Sequence, residues 1–157
     1  HNLLSPSKTG TQSRFRSLWP DAARDGKVPP GKLDAGPHAE EPITLHDPCL
    51  ARVNGEVEAQ RKVIGGAAQH SFREMSRHGE QTFCCGAGGG HMWIEESQGT
   101  RVNHARTDQF LETEADTVGV SCPFCVQMMA EGIQAKGLES EKQAKDVLEI
   151  LADSLEL

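Results

Sequence analysis

Thr117-Val118-Gly119-Val120-Ser121 runs straight into Cys122-Pro123-Phe124-Cys125. The first five residues read as a buried strand, short and rich in β-branched side chains. Pro123 suits the first position of a helix, where its missing N–H would have had no intrahelical partner. Val126, Met128, Met129 and Ile133 then give an apolar helical face that ends near Gly137. Both cysteines thus sit where a strand hands over to a helix. Thiols three residues apart in a first turn can face one centre, and a helix N-terminus favours thiolate over thiol.

The same junction recurs upstream. Ile43-Thr44-Leu45-His46 is a short β-rich run that ends in Asp47-Pro48-Cys49. Pro48 holds the residue before it extended, so Cys49 falls just past a strand end. That is where α/β folds keep their sites. A helix is expected from about Gly55 to Ile64, stopped by Gly65-Gly66, and a second strand around Ser71–Met75. Met92-Trp93-Ile94 opens a helical pattern that reaches Phe110-Leu111, with Glu95 and Glu96 in its first turns. Asp146–Leu155 reads as a last amphipathic helix with Val147, Leu148, Leu151 and Leu155 on one face. Strands alternating with helices predict an α/β fold: a small parallel sheet flanked by helices, with site loops at the C-terminal ends of the strands.

Between the two junctions lies Cys84-Cys85-Gly86-Ala87-Gly88-Gly89-Gly90. Adjacent cysteines do not readily bridge each other. Both can point at one inorganic centre if the backbone turns sharply beneath them. Glycine allows that turn and lets amide N–H groups come close to a buried anion. The full pattern is C-x34-CC-G-x-GGG-x31-CPFC, and it uses all five cysteines of the chain: Cys49, Cys84, Cys85, Cys122 and Cys125. A CxxC alone is shared by zinc sites and thiol–disulfide exchange proteins. Four thiolates would satisfy a tetrahedral zinc ion or a cubane cluster, and a fifth is surplus for zinc. The pattern reads as a metal or iron–sulfur centre, with buried structural thiols as the plainer alternative. The glycine run is no dinucleotide fingerprint, because the cysteines precede it and the spacing matches only incidentally.

Composition narrows the class. A net charge of −7 leaves no basic stripe for phosphates, which argues against nucleic acid. No apolar run approaches the roughly 20 residues of a bilayer span, and there is no secretory pattern. Five cysteines without disulfide-scaffold spacing point to a reducing, cytoplasmic compartment. Residues 1–41 are polar and broken by Pro6, Pro20, Pro29, Pro30 and Pro37. They read as an irregular linker or arm, and the domain is expected over 42–157.

His46-Asp-Pro-Cys49, Phe83-Cys84-Cys85-Gly86-Ala-Gly-Gly-Gly90 and Cys122-Pro-Phe-Cys125 together resemble the CCG cysteine-rich domain of the heterodisulfide reductase family and its relatives. Met92-Trp-Ile-Glu-Glu96, Arg101-Val-Asn103 and Arg106 make the likeness strongest to iron–sulfur oxidoreductases of the electron-transfer-flavoprotein-to-quinone type. The resemblance covers roughly residues 43–155. It implies a [4Fe–4S] cluster, non-cubane in the heterodisulfide reductase members, held by Cys49, Cys84, Cys85, Cys122 and Cys125. It also implies a flavoprotein electron donor, a quinone or disulfide acceptor, and other iron–sulfur or membrane domains of the same oxidoreductase as partners. Such a module would be cytoplasmic and peripheral at the inner face of the membrane through those partners. Relatives usually carry two CCG motifs. This chain has one and begins at His1, so it is expected to be a C-terminal piece of a larger protein. Leu50 stands where close relatives tend to have an aromatic residue. Some CCG motifs hold zinc, and a redox-silent zinc-binding structural domain is the alternative.

Around the cysteines, Gly86, Gly88 and Gly89 are expected to offer amides to the cofactor. His46 is either a donor to a cluster sulfur or a strand-end histidine bonded to backbone. For His91, a polar helix-start residue is the simpler reading. Met128-Met129 read as core, and so does Trp93, with a place on an electron path as its other reading; Asn103 and Arg106, one helical turn apart, either bind the CCG loop or a partner acid or, by default, are exposed helix positions.

Overall fold

The computed structural model describes residues 41–67, 72–96 and 98–154. The expected arm over 1–41 lies outside them except for Glu41, and so does Leu155.

Three parallel strands form the sheet: β1 (Ile43–His46), β2 (Thr117–Val120) and β3 (Gln143–Asp146), in the order β1-β2-β3. Ile43 pairs with Thr117 and His46 with Val120, so β1 and β2 end level. Both are buried on their two faces, as parallel strands between helix layers are. Side chains alternate across the sheet. Ile43 and Leu45 point to one core, with Ile64, Val147 and Ile150. Val118 points to the other, with Met75, Phe110, Met129 and Ile133. The helices are α1 (Cys49–Asn54), α2 (Val57–Ala67), α3 (Val102–Leu111), α4 (Pro123–Ala135) and α5 (Val147–Ser154). α2 packs with α5 over the first core, and α3 with α4 over the second.

Close approach explains two glycines. A Cβ on Gly119 would stand 3.1 Å from Ile150 Cδ1 and 3.2 Å from Ile64 Cδ1, so the bare backbone lets α2 and α5 settle on β2. A Cβ on Gly132 in α4 would overlap Thr107 Oγ1 of α3.

Several boundaries differ from the sequence reading. The helix expected over 55–64 is α2, which starts at Val57 and continues through Gly65-Gly66 to Ala67; α1 before it, closed by Gly55 in the left-handed region (φ 69°), has no counterpart in the sequence reading. Both glycines keep helical backbone, so neither acts as a stop. The strand expected over 71–75 is a single parallel bridge, Ile43 to Phe72. The long helix from Met92 is instead a 3₁₀ stretch (Gly88–Trp93), with α3 beginning only at Val102. Gly89 and Gly90 at φ 66° and 80° break that stretch. β3 has no counterpart in the sequence reading, because Gln143-Ala144-Lys145-Asp146 carries no apolar alternation. In α5, Leu148 is exposed and Ile150 takes the buried place expected of it. Among the described residues no helix is long and apolar enough to cross a membrane.

Candidate metal centre

β1 and β2 both end at one edge of the sheet, and the cysteines gather there. Cys49 is the first residue of α1, three past His46; Cys122 is the N-cap of α4, two past Val120. Pro123 opens α4 as expected, and Cys125 lies in its first turn. Cys85 and Cys125 are buried with Val120 and Met128, and Ala87, Met92, Cys122 and Val126 pack against them. All five cysteines are free thiols.

The loop between strands is anchored by Asp47, fully buried just after β1. Its Oδ1 accepts from Gln60 Nε2 (3.0 Å) and Arg61 Nε (3.1 Å). Its Oδ2 accepts from Arg61 Nη2 (2.6 Å) and the Gly79 amide (2.6 Å). Thr82 Oγ1 donates to its carbonyl at 2.8 Å. Four donors satisfy a carboxylate that would otherwise be costly to bury. They also tie α2 and the approach to Cys84 to the end of β1. Gly86 then turns the chain at φ 92°, where a Cβ would lie 3.1 Å from Val102 Cβ and 3.2 Å from the Asn103 amide.

The sulfur geometry is graded. Cys85 Sγ and Cys125 Sγ stand 3.2 Å apart. The ligand atoms of His46, Cys85 and Cys125 all lie within 4.8 Å of one another. Cys122 hydrogen-bonds to Cys125. Cys84 Sγ accepts from the Gly86 amide at 3.3 Å, and the Ala87 amide donates to Cys85. Cys84 and Cys122 are half-buried, and Cys49 is exposed. His46, Cys85 and Cys125 are therefore grouped, Cys122 packs against the two buried thiols, and Cys49 and Cys84 fall outside this group. Of the glycines expected to offer amides to the cofactor, Gly86 donates its amide to Cys84 Sγ, and Gly88 and Gly89 lie in the exposed 3₁₀ stretch.

Charge at the centre is polarised. The Cys125 thiol, donating to Cys85, holds Cys85 down to about 4 against the cost of burial, with help from His46 and the Ala87 amide. Cys125 is raised because it keeps the shared proton and is buried. Burial pushes His46 below its ordinary range, against the pull of Cys85. His46 Nδ1 accepts from Arg106 Nε at 3.0 Å. His46 Nε2 and Arg106 Nη2 are buried without a hydrogen-bond partner. Unpartnered buried nitrogens beside buried thiols suit a soft, negatively charged occupant. An iron–sulfur cluster on thiolates has that character, so the residues present fit such a group.

Arg106 and Asn103 are buried, not exposed. The sequence does carry a signal for this: Asn103, Arg106, Thr107 and Phe110 recur at helical spacing and form the buried face of α3. Ala87 has no such signal. Trp93 is 80% exposed and not core; Met128 and Met129 are core as expected. His91 is exposed and faces Glu96. Leu50, Val53, Ile94 and Phe124 are also exposed, on the segments that carry or follow the cysteines.

Fold and thiols together define a cysteine-rich α/β domain. The chain belongs to the CCG family, described as "Cysteine-rich domain", whose pattern matches residues 43–130. It is 36% identical over 153 residues to the "Probable iron-sulfur-binding oxidoreductase FadF" of Bacillus subtilis, covering 90% of this chain and 22% of that one. It is 37% identical over 137 residues to the "EtfAB:quinone oxidoreductase" of Syntrophomonas wolfei, covering 82% and 19%. Against one subunit of the dihydromethanophenazine:CoB–CoM heterodisulfide reductase of Methanosarcina barkeri it is 37% identical over 116 residues, covering 73% and 28%. The chain thus spans between about a fifth and just over a quarter of these relatives. No solved structure matches it.

Proposed function

We propose that residues 42–157 are an iron–sulfur electron-transfer module of a larger oxidoreductase, with Cys49, Cys84, Cys85, Cys122 and Cys125 holding a [4Fe–4S] cluster. The observation that carries this is the buried Cys85–Cys125 pair, 3.2 Å apart, with Cys122 beside it at the end of a parallel sheet. The names of the relatives support it: one is called iron–sulfur-binding, another an EtfAB:quinone oxidoreductase. The cluster would supply one-electron redox chemistry. The chain's own residues supply thiolates, the Gly86 and Ala87 amides, and burial at Cys85 and Cys125, the means by which a protein sets cluster potential. Electrons would come from a flavoprotein or a neighbouring cluster and leave towards a quinone or disulfide acceptor. The partners would be other iron–sulfur or membrane domains of the same oxidoreductase, holding the module at the inner face of the membrane. Exposed Cys49, Leu50, Trp93 and Phe124 give such a partner an apolar approach.

The grouping of His46, Cys85 and Cys125 supports a second reading, a redox-silent zinc site that serves folding. Iron, acid-labile sulfide and zinc per chain, measured on anaerobically purified protein beside its visible spectrum, decide between the two. About four irons and four sulfides with broad absorbance is the expected result. One zinc and no colour would overturn the electron-transfer reading.

A further inference from the structure

We propose that Arg106 and His46 form a fixed hydrogen-bond relay onto the Cys85 sulfur, in which Arg106 makes His46 a donor and not a metal ligand, and that the pair raises the reduction potential of the group held by the cysteines. The inference rests on the iron–sulfur reading above.

The direction of the relay follows from atom chemistry. A guanidinium has donors and no acceptor. Arg106 Nε lies 3.0 Å from His46 Nδ1, so Nδ1 carries the lone pair and the ring proton sits on Nε2. Both side chains are fully buried, and Nε2 has no hydrogen-bond partner. The remaining neighbour able to accept is the Cys85 sulfur. A protonated Nε2 cannot bind a metal, because that requires the bare ring nitrogen. The buried His46-Cys85-Cys125 group is therefore a donor with two thiols, not a three-ligand site.

Arg106 is itself unusual. Its Nη1 donates to the Arg77 carbonyl (2.8 Å) and to Gln109 Oε1 (2.6 Å), both neutral. Among the described residues no carboxylate pairs with it directly; Asp47 and the thiols Cys85 and Cys125 act on it only through the field. A buried cation and an N–H on a ligand sulfur both stabilise the more negative, reduced state of a cluster. The carboxylate of Asp47 is already matched by Arg61. The charge of Arg106 thus acts on the cysteine centre as well as on Asp47.

The first test needs no variant and no cofactor. In reduced, metal-free protein labelled with ¹⁵N-histidine, NMR should show His46 as the neutral Nε2–H tautomer near neutral pH. An Nδ1–H tautomer or an imidazolium would overturn the relay. The second test uses iron-loaded protein and an EPR-monitored redox titration. Arg106→Lys and His46→Leu should each keep the iron content and shift the one-electron reduction equilibrium at least tenfold towards the oxidised form, about 59 mV. The double variant should shift little further, because the two act in series. An unchanged potential in a folded, loaded variant would overturn the proposal, and so would loss of iron confined to His46→Leu. Wild-type protein that binds no iron would instead overturn the reading beneath it. If the variants fail to fold, the tautomer decides alone.

Discussion

Arg61 grips Asp47 with two nitrogens, Nε on Oδ1 and Nη2 on Oδ2, and so clamps α2 to the end of β1. Arg61 also reaches Glu74, which fastens the return segment after α2. Removing one partner of a buried pair leaves the other uncompensated. Asp47→Ala should therefore cost about 3–5 kcal/mol of stability. Urea unfolding measures it, and a loss below about 1 kcal/mol, the scale of a surface pair, would show the clamp to be incidental. Glu74→Ala, on the exposed side of Arg61, should fall within that smaller range.

Gly86 and Gly88 separate turn geometry from mere glycine content. Gly86→Ala meets Val102 and the Asn103 backbone at a φ of 92°, and such strain costs on the order of 1–3 kcal/mol. It should displace Cys84 and Cys85 and lower bound iron per chain. Gly88→Ala has nothing within 4 Å and should load normally. Equal iron content in the two variants would refute the role given to the Gly86 turn.

Gly119→Ala tests the seating of α2 and α5 on β2. The added methyl crowds Ile64 and Ile150, and overpacking of this kind costs roughly 1–3 kcal/mol. Trimming the neighbour with Ile150→Val in the same chain should recover part of that loss. Thermal unfolding of single and double variants checks it; purely additive losses would place the fault elsewhere.

In metal-free protein the thiolate on Cys85 should persist to low pH. Its folded value, about 4, lies below the ordinary 9.0, so its contribution to stability is present above the ordinary value and lost as pH falls through about 4. Ultraviolet thiolate absorbance followed on acidification should therefore disappear near pH 4 in the folded protein. Cys125→Ala removes the donating thiol and should move that loss upward. A titration unaffected by Cys125→Ala would mean that Cys125 does not hold the Cys85 thiolate.

The parts of this fold legible in the sequence are those where local chemistry and tertiary packing agree. Thr117–Val120 is β-branched and doubly buried, and Cys122-Pro123 marks the start of α4 as its residue types require. β3 is illegible because it is a polar edge strand, held by pairing with β2 and not by an apolar pattern. The α1–α2 break turns on one residue, Gly55, while Gly65-Gly66 stays helical because α2 packs against α5. At the centre, cysteine spacing names the thiols, since they are the side chains suited to soft metals. Arg106 reads as exposed because a charged side chain is seldom buried without a carboxylate. Its partner is a histidine 60 positions away.

Strand order carries a consequence for how the domain comes into being. Among the described residues β1 pairs with one strand, β2, apart from its single bridge to Phe72, and the connection from β1 to β2 holds Cys84, Cys85, α2 and α3. Until Thr117–Val120 leaves the ribosome, the early cysteines have no sheet edge to stand on. Cys122 and Cys125 emerge only a few residues later. Completion of the scaffold and arrival of the last thiols are thus nearly one event in synthesis, and a nascent chain shorter than that has no centre to fill.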